Sequence, residues 1–327
     1  MKSLKVGIIG AGIAGLSCAH QLTLAGHKVV IFDKSHGVGG RMSHRNYEKW
    51  GADHGAQYFT AKDPLFAEEV QRWIQAGVAS PWLGKIVSYT HGQIVDSDPT
   101  KKRYVGVPEM SSPAKYLAKN VVLELSQTIT EITKINGYWE VSSKESGVLP
   151  HQFDFLICAT PPAQAKNLIG KNSQNLQVMC SEVQMQPCWT FLAYLRNPLT
   201  LDFDGAFIND HIFSWIARDN TKPERSRYET WVAQANPAWS EEHLDLSHYE
   251  VEPLLIEAFQ NLTGAECDLY QTHLWRYAKL ENESQSNYGL DTQNQLALCG
   301  DWLRTSTVEG AWMSGFHLAK VLNRMYS

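Results

Sequence analysis

Hydrophobic positions along the chain follow two rhythms, and the change between them predicts the architecture. Leu4–Ile9 is a short apolar run of β character, and the glycine-rich Gly10-Ala11-Gly12-Ile13-Ala14-Gly15 follows it at once. Leu16–Ala25 is compatible with a helix, Gly26 stops it, and Lys28–Phe32 is a second strand ending at Asp33. Asp63–Gly77 reads as an amphipathic helix with Pro64 in its first turn and Leu65, Phe66, Val70, Trp73 and Ile74 on one face. Val121–Leu125, Thr128–Ile135 and Tyr138–Ser143 read as strands, with a hairpin signal at Asn136-Gly137. Phe153–Cys158, interrupted only by Asp154, and Gln295–Cys299 are buried-type strands. The former ends in Ala159-Thr160-Pro161-Pro162, and the latter leads through Gly300-Asp301 towards a helix over Trp312–Asn323.

From about Ala163 to Glu283 the strand candidates turn aromatic: Cys188–Leu195, Ala206–Ala217, Tyr228–Ala235 and Gln271–Tyr277. One helix interrupts them within Ser247–Leu262. A capping box at Ser247 and Glu250 argues for an early start, and Pro253 for a later one. The segment holds Trp189, Trp215, Trp231, Trp239 and Trp275, which suits an antiparallel sheet built for a planar ligand. The predicted fold class is therefore α/β with an α+β second domain. A discontinuous dinucleotide-binding domain would use residues 1–62, 104–162 and 290–327, and a smaller antiparallel-sheet substrate domain with helices would use 63–103 and 163–289.

The first sixty residues carry the clearest chemistry. Strand, glycine fingerprint, helix and a terminal acid are the context that a dinucleotide site requires. Gly10 permits the tight turn, Gly12 lets backbone approach a pyrophosphate, and Gly15 lets helix and sheet pack closely. The N–H groups of Ile13 and Ala14 at the helix start face the phosphates. Asp33, with Lys34 beside it, stands where an acid accepts from the adenosine ribose. A second glycine loop, Gly37-Val38-Gly39-Gly40-Arg41-Met42, then selects FAD over NAD, because it brings more backbone and one guanidinium to the diphosphate.

Composition narrows the remaining choices. The chain has 327 residues, 43% of them hydrophobic, and a formal net charge of −5. That balance argues against a nucleic-acid or acidic-membrane binder. The one basic run, Lys101-Lys102-Arg103, reads as a solvated loop. Lys2 and Lys5 before an apolar stretch mimic an export signal, but four glycines interrupt Val6–Ala19, so it reads as strand, turn and helix. No apolar run is long enough to span a bilayer. The six cysteines form no C-x-x-C pair and suit a reducing cytoplasm. The twelve histidines show no metal-ligand spacing, so no metal is expected.

The set "GAGIAG…FDKS…GVGGRM…DHGAQYFT" resembles flavoprotein amine oxidases, and within them the renalase family. "WIARDNTKP" (Trp215–Pro223), "ETWVAQA" (Glu229–Ala235), "HLWRYAK" (His273–Lys279) and "GDW…VEGAW" near the C-terminus extend the likeness over nearly the whole chain. The resemblance implies a p-hydroxybenzoate hydroxylase/amine oxidase-type FAD domain holding a non-covalent flavin. It implies flavin contacts from Gly40, Arg41, Met42, Gly55, Ala56, Gln57, Tyr58, Ile129, Ala159, Thr160, Gly300, Asp301, Glu309, Gly310 and Ala311. The implied reaction oxidises 2- or 6-dihydro forms of NAD(P) by hydride transfer to flavin N5, with O2 reduced to hydrogen peroxide. Tyr58, Trp215, Arg218, Trp275 and Tyr277 are the candidates for the substrate pocket. Two alternatives stay open: an amine oxidase, with Lys279 as a candidate flavin lysine, and a flavin-binding redox sensor without turnover. A monomer is expected.

Overall fold

The computed structural model describes residues 3–98, 100–282, 284 and 286–327; the expected positive charge at Lys2 and the boundary at Glu283 lie outside them. A six-stranded sheet runs in the order Gly289–Asp291, Leu296–Leu298, Phe155–Cys158, Lys5–Ile9, Lys28–Asp33, Val122–Leu125. All neighbours are parallel except the edge strand Gly289–Asp291. Its strands are nearly all apolar because both faces are covered. The helices Ile13–Leu24 and Val308–Met325 lie against each other in one core with Ile8, Ile31 and Ile157. Phe32, Leu156 and Cys158 face the opposite core, roofed by the antiparallel strands Ile129–Ile135, Tyr138–Ser143 and Gly147–Val148. Asn136 and Gly137 both have positive φ, as the hairpin signal requires.

The second sheet has seven strands, ordered Leu269–Leu280, Met185–Leu195, Glu229–Ala235, Phe213–Arg218, Gly205–Ile208, Ile86–Thr90, Gln93–Asp96. It is antiparallel except where Gly205–Ile208 pairs with Ile86–Thr90. The helix His248–Thr263 packs Val251, Leu255, Ala258 and Phe259 into the core on one face, with Phe191, Phe213 and Trp231.

Two boundaries correct the sequence expectations, and a third decides between two of them. Ala206–Ala217 is not one strand but a hairpin, Gly205–Ile208 and Phe213–Arg218, turning through Asp210 at positive φ. The polar Asn209-Asp210-His211 that interrupt its apolar residues are where the chain turns. The His248–Thr263 helix starts at the early position: Glu250 accepts from the backbone N–H and the hydroxyl of Ser247, and Pro253 is accommodated inside the helix. The last helix begins at Val308, capped by Thr307, four residues before the expected start. In the amphipathic helix Pro64–Gln75, Phe66, Val70 and Trp73 are buried as expected, but Leu65 is 41% exposed.

Candidate functional site

Two glycine loops meet over the C-terminal edge of the parallel sheet. Gly39 N–H donates to Ala11 O at 2.9 Å, and Gly12 pairs with Gly39 as an isolated parallel bridge. A Cβ on Gly10 would lie 2.7 Å from Ala159 O, and one on Gly15 would lie 2.2 Å from Gly10 O. These contacts force both residues to be glycine. Gly12 differs: a Cβ there would meet nothing within 4 Å. Its missing side chain leaves a cradle open in front of the uncapped helix start at Ile13 and Ala14. That cradle, edged by the unpartnered, buried Thr160 hydroxyl, fits a dinucleotide diphosphate.

Asp33 closes the outer end. One of its oxygens accepts from Ala11 N–H at 2.7 Å and the other from Ser35 N–H at 2.8 Å. Gln127 N–H donates to Asp33 O, which brings the segment leading into Ile129 beside the acid; Lys34 is exposed there. Arg41 lies on the inner side. Its guanidinium grips Asp301 with both terminal nitrogens, at 2.8 Å for one, and also donates to Ala278 O at 3.2 Å. The two residues expected to touch the cofactor separately therefore form one bidentate unit, so any phosphate contact by Arg41 is shared with Asp301. Met42, next to Arg41, is buried; a Cβ on Gly300, next to Asp301, would meet the Trp302 indole, and Gly310 approaches Thr305 too closely for any Cβ. Ala311 is buried in the helix turn that follows. Glu309 is turned elsewhere: its carboxylate accepts from Lys62 N–H at 3.0 Å and Asp63 N–H at 2.6 Å, so it fixes the approach to the Pro64–Gln75 helix.

The loop His54-Gly55-Ala56-Gln57-Tyr58 joins the two sheets. Ala56 N–H donates to Arg41 O at 2.8 Å. From the second sheet, Trp275 Nε1 donates to His54 O at 2.9 Å and Gln234 Nε2 to Gly55 O at 2.7 Å. Beneath lies a charge cluster that motif reading missed. Lys222 Nζ reaches Asp219 at 2.6 Å, Asp53 at 3.1 Å and Gln57 Oε1 at 3.2 Å, and Arg225 reaches Asp53 at 2.6 Å. His44 completes it with a 2.9 Å contact to Asp53. The Lys222, Asp53 and Asp219 side chains are fully buried. Burial alone would raise the Asp53 pKa, but the Lys222 ammonium, the His44 hydrogen bond and Arg225 outweigh it and hold the carboxyl well below its usual range. His44, Asp53 and Asp219 group as metal ligands would, yet Lys222 already supplies the cation. The only hint in the sequence was that Asp53, Asp219 and Lys222 fall inside the resembling motifs.

Of the pocket candidates, the structure brings Tyr58 and Trp215 together, with ring centroids 5.6 Å apart. Trp82 lies 6.4 Å from Tyr58, and Phe207 4.7 Å from Trp215. Trp275 stacks on His54 at 5.0 Å. Tyr277 is half-buried further along the same strand, and Lys279 is exposed. Arg218 does not join them. Past a register shift between Phe213 and Trp215, side chains alternate, so Trp215 and Ala217 face one core while Ile216 and Arg218 face the other. There Arg218 donates to Leu199 O at 2.9 Å, pairs with Glu229 at 3.3 Å and lies over Trp231. Cys18, Cys158 and Cys299 are buried, and burial raises the thiol pKa of Cys158 to about 12.

Residues 8–73 match the NAD(P)-binding Rossmann-like domain family. Among characterised proteins the chain is similar to an L-amino-acid oxidase of Sistrurus catenatus edwardsii, 36% identical over 69 residues, and to a 4,4'-diapophytoene desaturase of Staphylococcus aureus, 40% identical over 52 residues. The matched stretch is 21% and 16% of this chain, and the chain spans only 13% and 10% of those relatives' lengths. The whole fold is similar to that of a putative protoporphyrinogen oxidase from Exiguobacterium sp. 255-15, with a TM-score of 0.80 at 9% identity, covering 99% of this chain and 100% of that one. It is also similar to a redesigned putrescine oxidase, with a TM-score of 0.74 at 12% identity and coverage of 98% and 99%. The chain shares with those two structures a fold in which a parallel sheet of Rossmann type is joined to antiparallel sheets. The cofactor that this site takes is FAD.

Proposed function

We propose that the chain is an FAD-dependent oxidase of isomeric (2- or 6-) dihydro-NAD(P), as its motif resemblance to the renalase family implies. The observation that carries this reading is the aromatic wall of Tyr58, Trp82 and Trp215, which begins one residue beyond the Gly55–Gln57 loop. When bound, FAD supplies the two-electron acceptor. The protein's part is to hold a flat ring against the wall, keep it oriented and exclude water. Hydride loss from a dihydropyridine yields an aromatic pyridinium directly, so no side chain must remove a proton. The balance is dihydro-NAD(P) plus O2 plus one proton giving NAD(P)+ and hydrogen peroxide.

Gly10, Gly12, Gly15, Ile13 and Ala14 would hold the diphosphate, Asp33 the ribose, and Arg41 with Asp301 the inner phosphate and ribityl region. The division into an FAD unit (1–62, 104–162, 290–327) and a substrate unit (63–103, 163–289) belongs to this proposal, as do the non-covalent flavin, the monomeric state and the cytoplasmic location. Among the described residues no helix is long and apolar enough to cross a membrane.

The test is anaerobic mixing of the yellow holoenzyme with 2-, 4- and 6-dihydro-NAD(P) and with a panel of amines. Bleaching by the 2- or 6-dihydro isomers, and not by amines, supports the reading. Bleaching by an amine moves the chemistry to amine oxidation. A flavin reduced by neither, and not reoxidised by air after dithionite, fits a redox sensor instead.

A further inference from the structure

Arg103 belongs to the basic run expected to be a solvated loop, and Lys101 and Lys102 are indeed exposed. Arg103 is not: it is only 8% exposed. Backbone pairing fixes its place. Phe59 and Tyr104 exchange N–H···O bonds at 2.8 Å in both directions, and Trp82 N–H donates to Arg103 O at 2.9 Å. The guanidinium consequently lies 5.4 Å from the Tyr58 ring centroid, against the same ring that Trp215 and Trp82 flank.

Its hydrogen bonding is incomplete. One terminal nitrogen donates to Lys101 O at a long 3.4 Å and the other to Ser97 Oγ at 3.2 Å, while Nε is buried without a partner. Among the described residues no carboxylate forms an ion pair with it, although, after the Thr100 hydrogen bonds, its charge helps to hold the exposed Asp98 carboxyl below its usual range. Trp215 Nε1, on the other tryptophan against Tyr58, is likewise buried without a partner. Both orphan atoms are donors only, since neither guanidinium nor indole nitrogen accepts. A buried, half-satisfied cation is costly unless something else completes it. The missing group must be an oxygen acceptor, and an anionic one gains most. An ammonium would meet a like charge in a site of low dielectric.

We infer that Arg103 is a specificity-determining residue that anchors an oxygen-acceptor group of the substrate, a phosphate or a carboxamide, and so selects against cationic amines. The inference rests on the proposed substrate wall, but not on turnover. The experiment titrates oxidised holoenzyme with NAD+, nicotinamide, inorganic pyrophosphate and butylamine, following the bound flavin's absorption spectrum. NAD+ is expected to perturb the wild-type spectrum and to bind on the order of 10- to 100-fold more weakly in Arg103→Met, with Arg103→Lys between them. A response to pyrophosphate alone assigns the contact to phosphate, and a response to nicotinamide alone assigns it to the carboxamide. Trp215→Phe, which keeps the ring and loses the donor, provides a second reading should Arg103→Met lose its flavin, and a smaller weakening is expected there. Unchanged NAD+ affinity in flavin-loaded variants overturns the inference. So does a wild type that responds to none of the three acceptors, or one that binds butylamine more tightly than Arg103→Met does. Failure of dihydronicotinamides to bleach the flavin, with Arg103-dependent NAD+ binding intact, would remove the proposed reaction and leave this anchor standing.

Discussion

The two sheets are specified in opposite ways. In the parallel sheet, the strand Lys5–Ile9, the glycine turn, the helix Ile13–Leu24 and the strand Lys28–Asp33 are consecutive, and each residue's reason is local. The seven-stranded sheet is joined to the cofactor loop by charges from segments far apart in sequence. His44 and Asp53 come from one hairpin, and Asp219, Lys222 and Arg225 from the turn after Phe213–Arg218. The first region places backbone against a ligand, and the second places one protein segment against another. The difference teaches that a binding turn announces itself through glycines, whereas the platform beneath it rests on pairings that only the folded chain reveals.

Lys222→Met strikes at that platform and should have the largest effect. It leaves Asp53 and Asp219 buried with only Arg225 and His44 to compensate them. Breaking such a buried pair costs about 3–5 kcal/mol, which chemical denaturation would register. The double variant Lys222→Met/Asp53→Asn should recover part of that loss, because it removes a stranded charge as well. A single variant as stable as wild type would show that the cluster holds nothing together.

Gly12→Val tests the other region. Gly12 has φ −73° and ψ 173°, which any residue adopts, and its Cβ meets open space. The chain should therefore fold with unchanged circular dichroism and yet purify almost colourless, since the valine fills the cradle. Gly15→Ala, whose Cβ would lie 2.2 Å from Gly10 O, should instead damage folding itself. A yellow Gly12→Val protein would move the diphosphate elsewhere.

This contrast explains what was legible in the sequence. The βαβ unit could be read because Gly10, Gly12, Gly15 and Asp33 act at fixed spacing on one short segment. The hairpin at Asn136-Gly137 was legible for the same reason, as its turn demands positive φ at both residues. Arg218 was misplaced because motif proximity to Trp215 says nothing about which sheet face a side chain takes; three residues along a strand reverses it. Glu309 was assigned to the cofactor although its carboxylate fixes Lys62 and Asp63, a contact across 246 residues. Arg103 was taken for a surface charge because its neighbours are, and only the Phe59–Tyr104 bridge reveals its burial. The five strands expected over Leu4–Ile9, Lys28–Phe32, Val121–Leu125, Phe153–Cys158 and Gln295–Cys299 needed no such information, since a mostly apolar run suits a strand covered on both faces.

The join between the regions should also set the acid sensitivity of the protein. Burial, with His273 and Arg45 nearby, lowers the His54 pKa to about 3, and burial with Arg45 lowers that of His273 to about 4. Both are neutral in the folded protein, whereas in the unfolded chain they protonate near the ordinary value of 6.5. The unfolded state therefore binds more protons between those limits, and stability falls as pH drops from about 6.5 towards 4. Asp53, whose pKa is depressed, acts in a lower window: its contribution is complete above 3.8 and is lost only below that. Melting temperature against pH should decline already between 6.5 and 5, and His273→Gln should flatten that part of the curve. A curve that is level down to pH 4 would place both rings in contact with water.

The smallest effect is expected at Trp275, where the regions meet through a single neutral hydrogen bond. Its indole both stacks on His54 and donates to the His54 carbonyl at 2.9 Å. Trp275→Phe keeps an aromatic face and removes only the donor, so the loss should be about 1 kcal/mol, the net value of one such bond. Trp275→Ala, which also empties the half-buried space beside His54, should cost more than Trp275→Phe and less than Lys222→Met. The ratio of the two losses, measured by denaturant titration, separates the two jobs of the ring. Equal losses would mean that the carbonyl contact alone holds His54 in place, and that the loop is fastened to the second sheet by hydrogen bonds more than by packing. A phenylalanine variant as stable as wild type would assign the fastening to Gln234 and Lys222, and would leave Trp275 free to serve the ligand pocket.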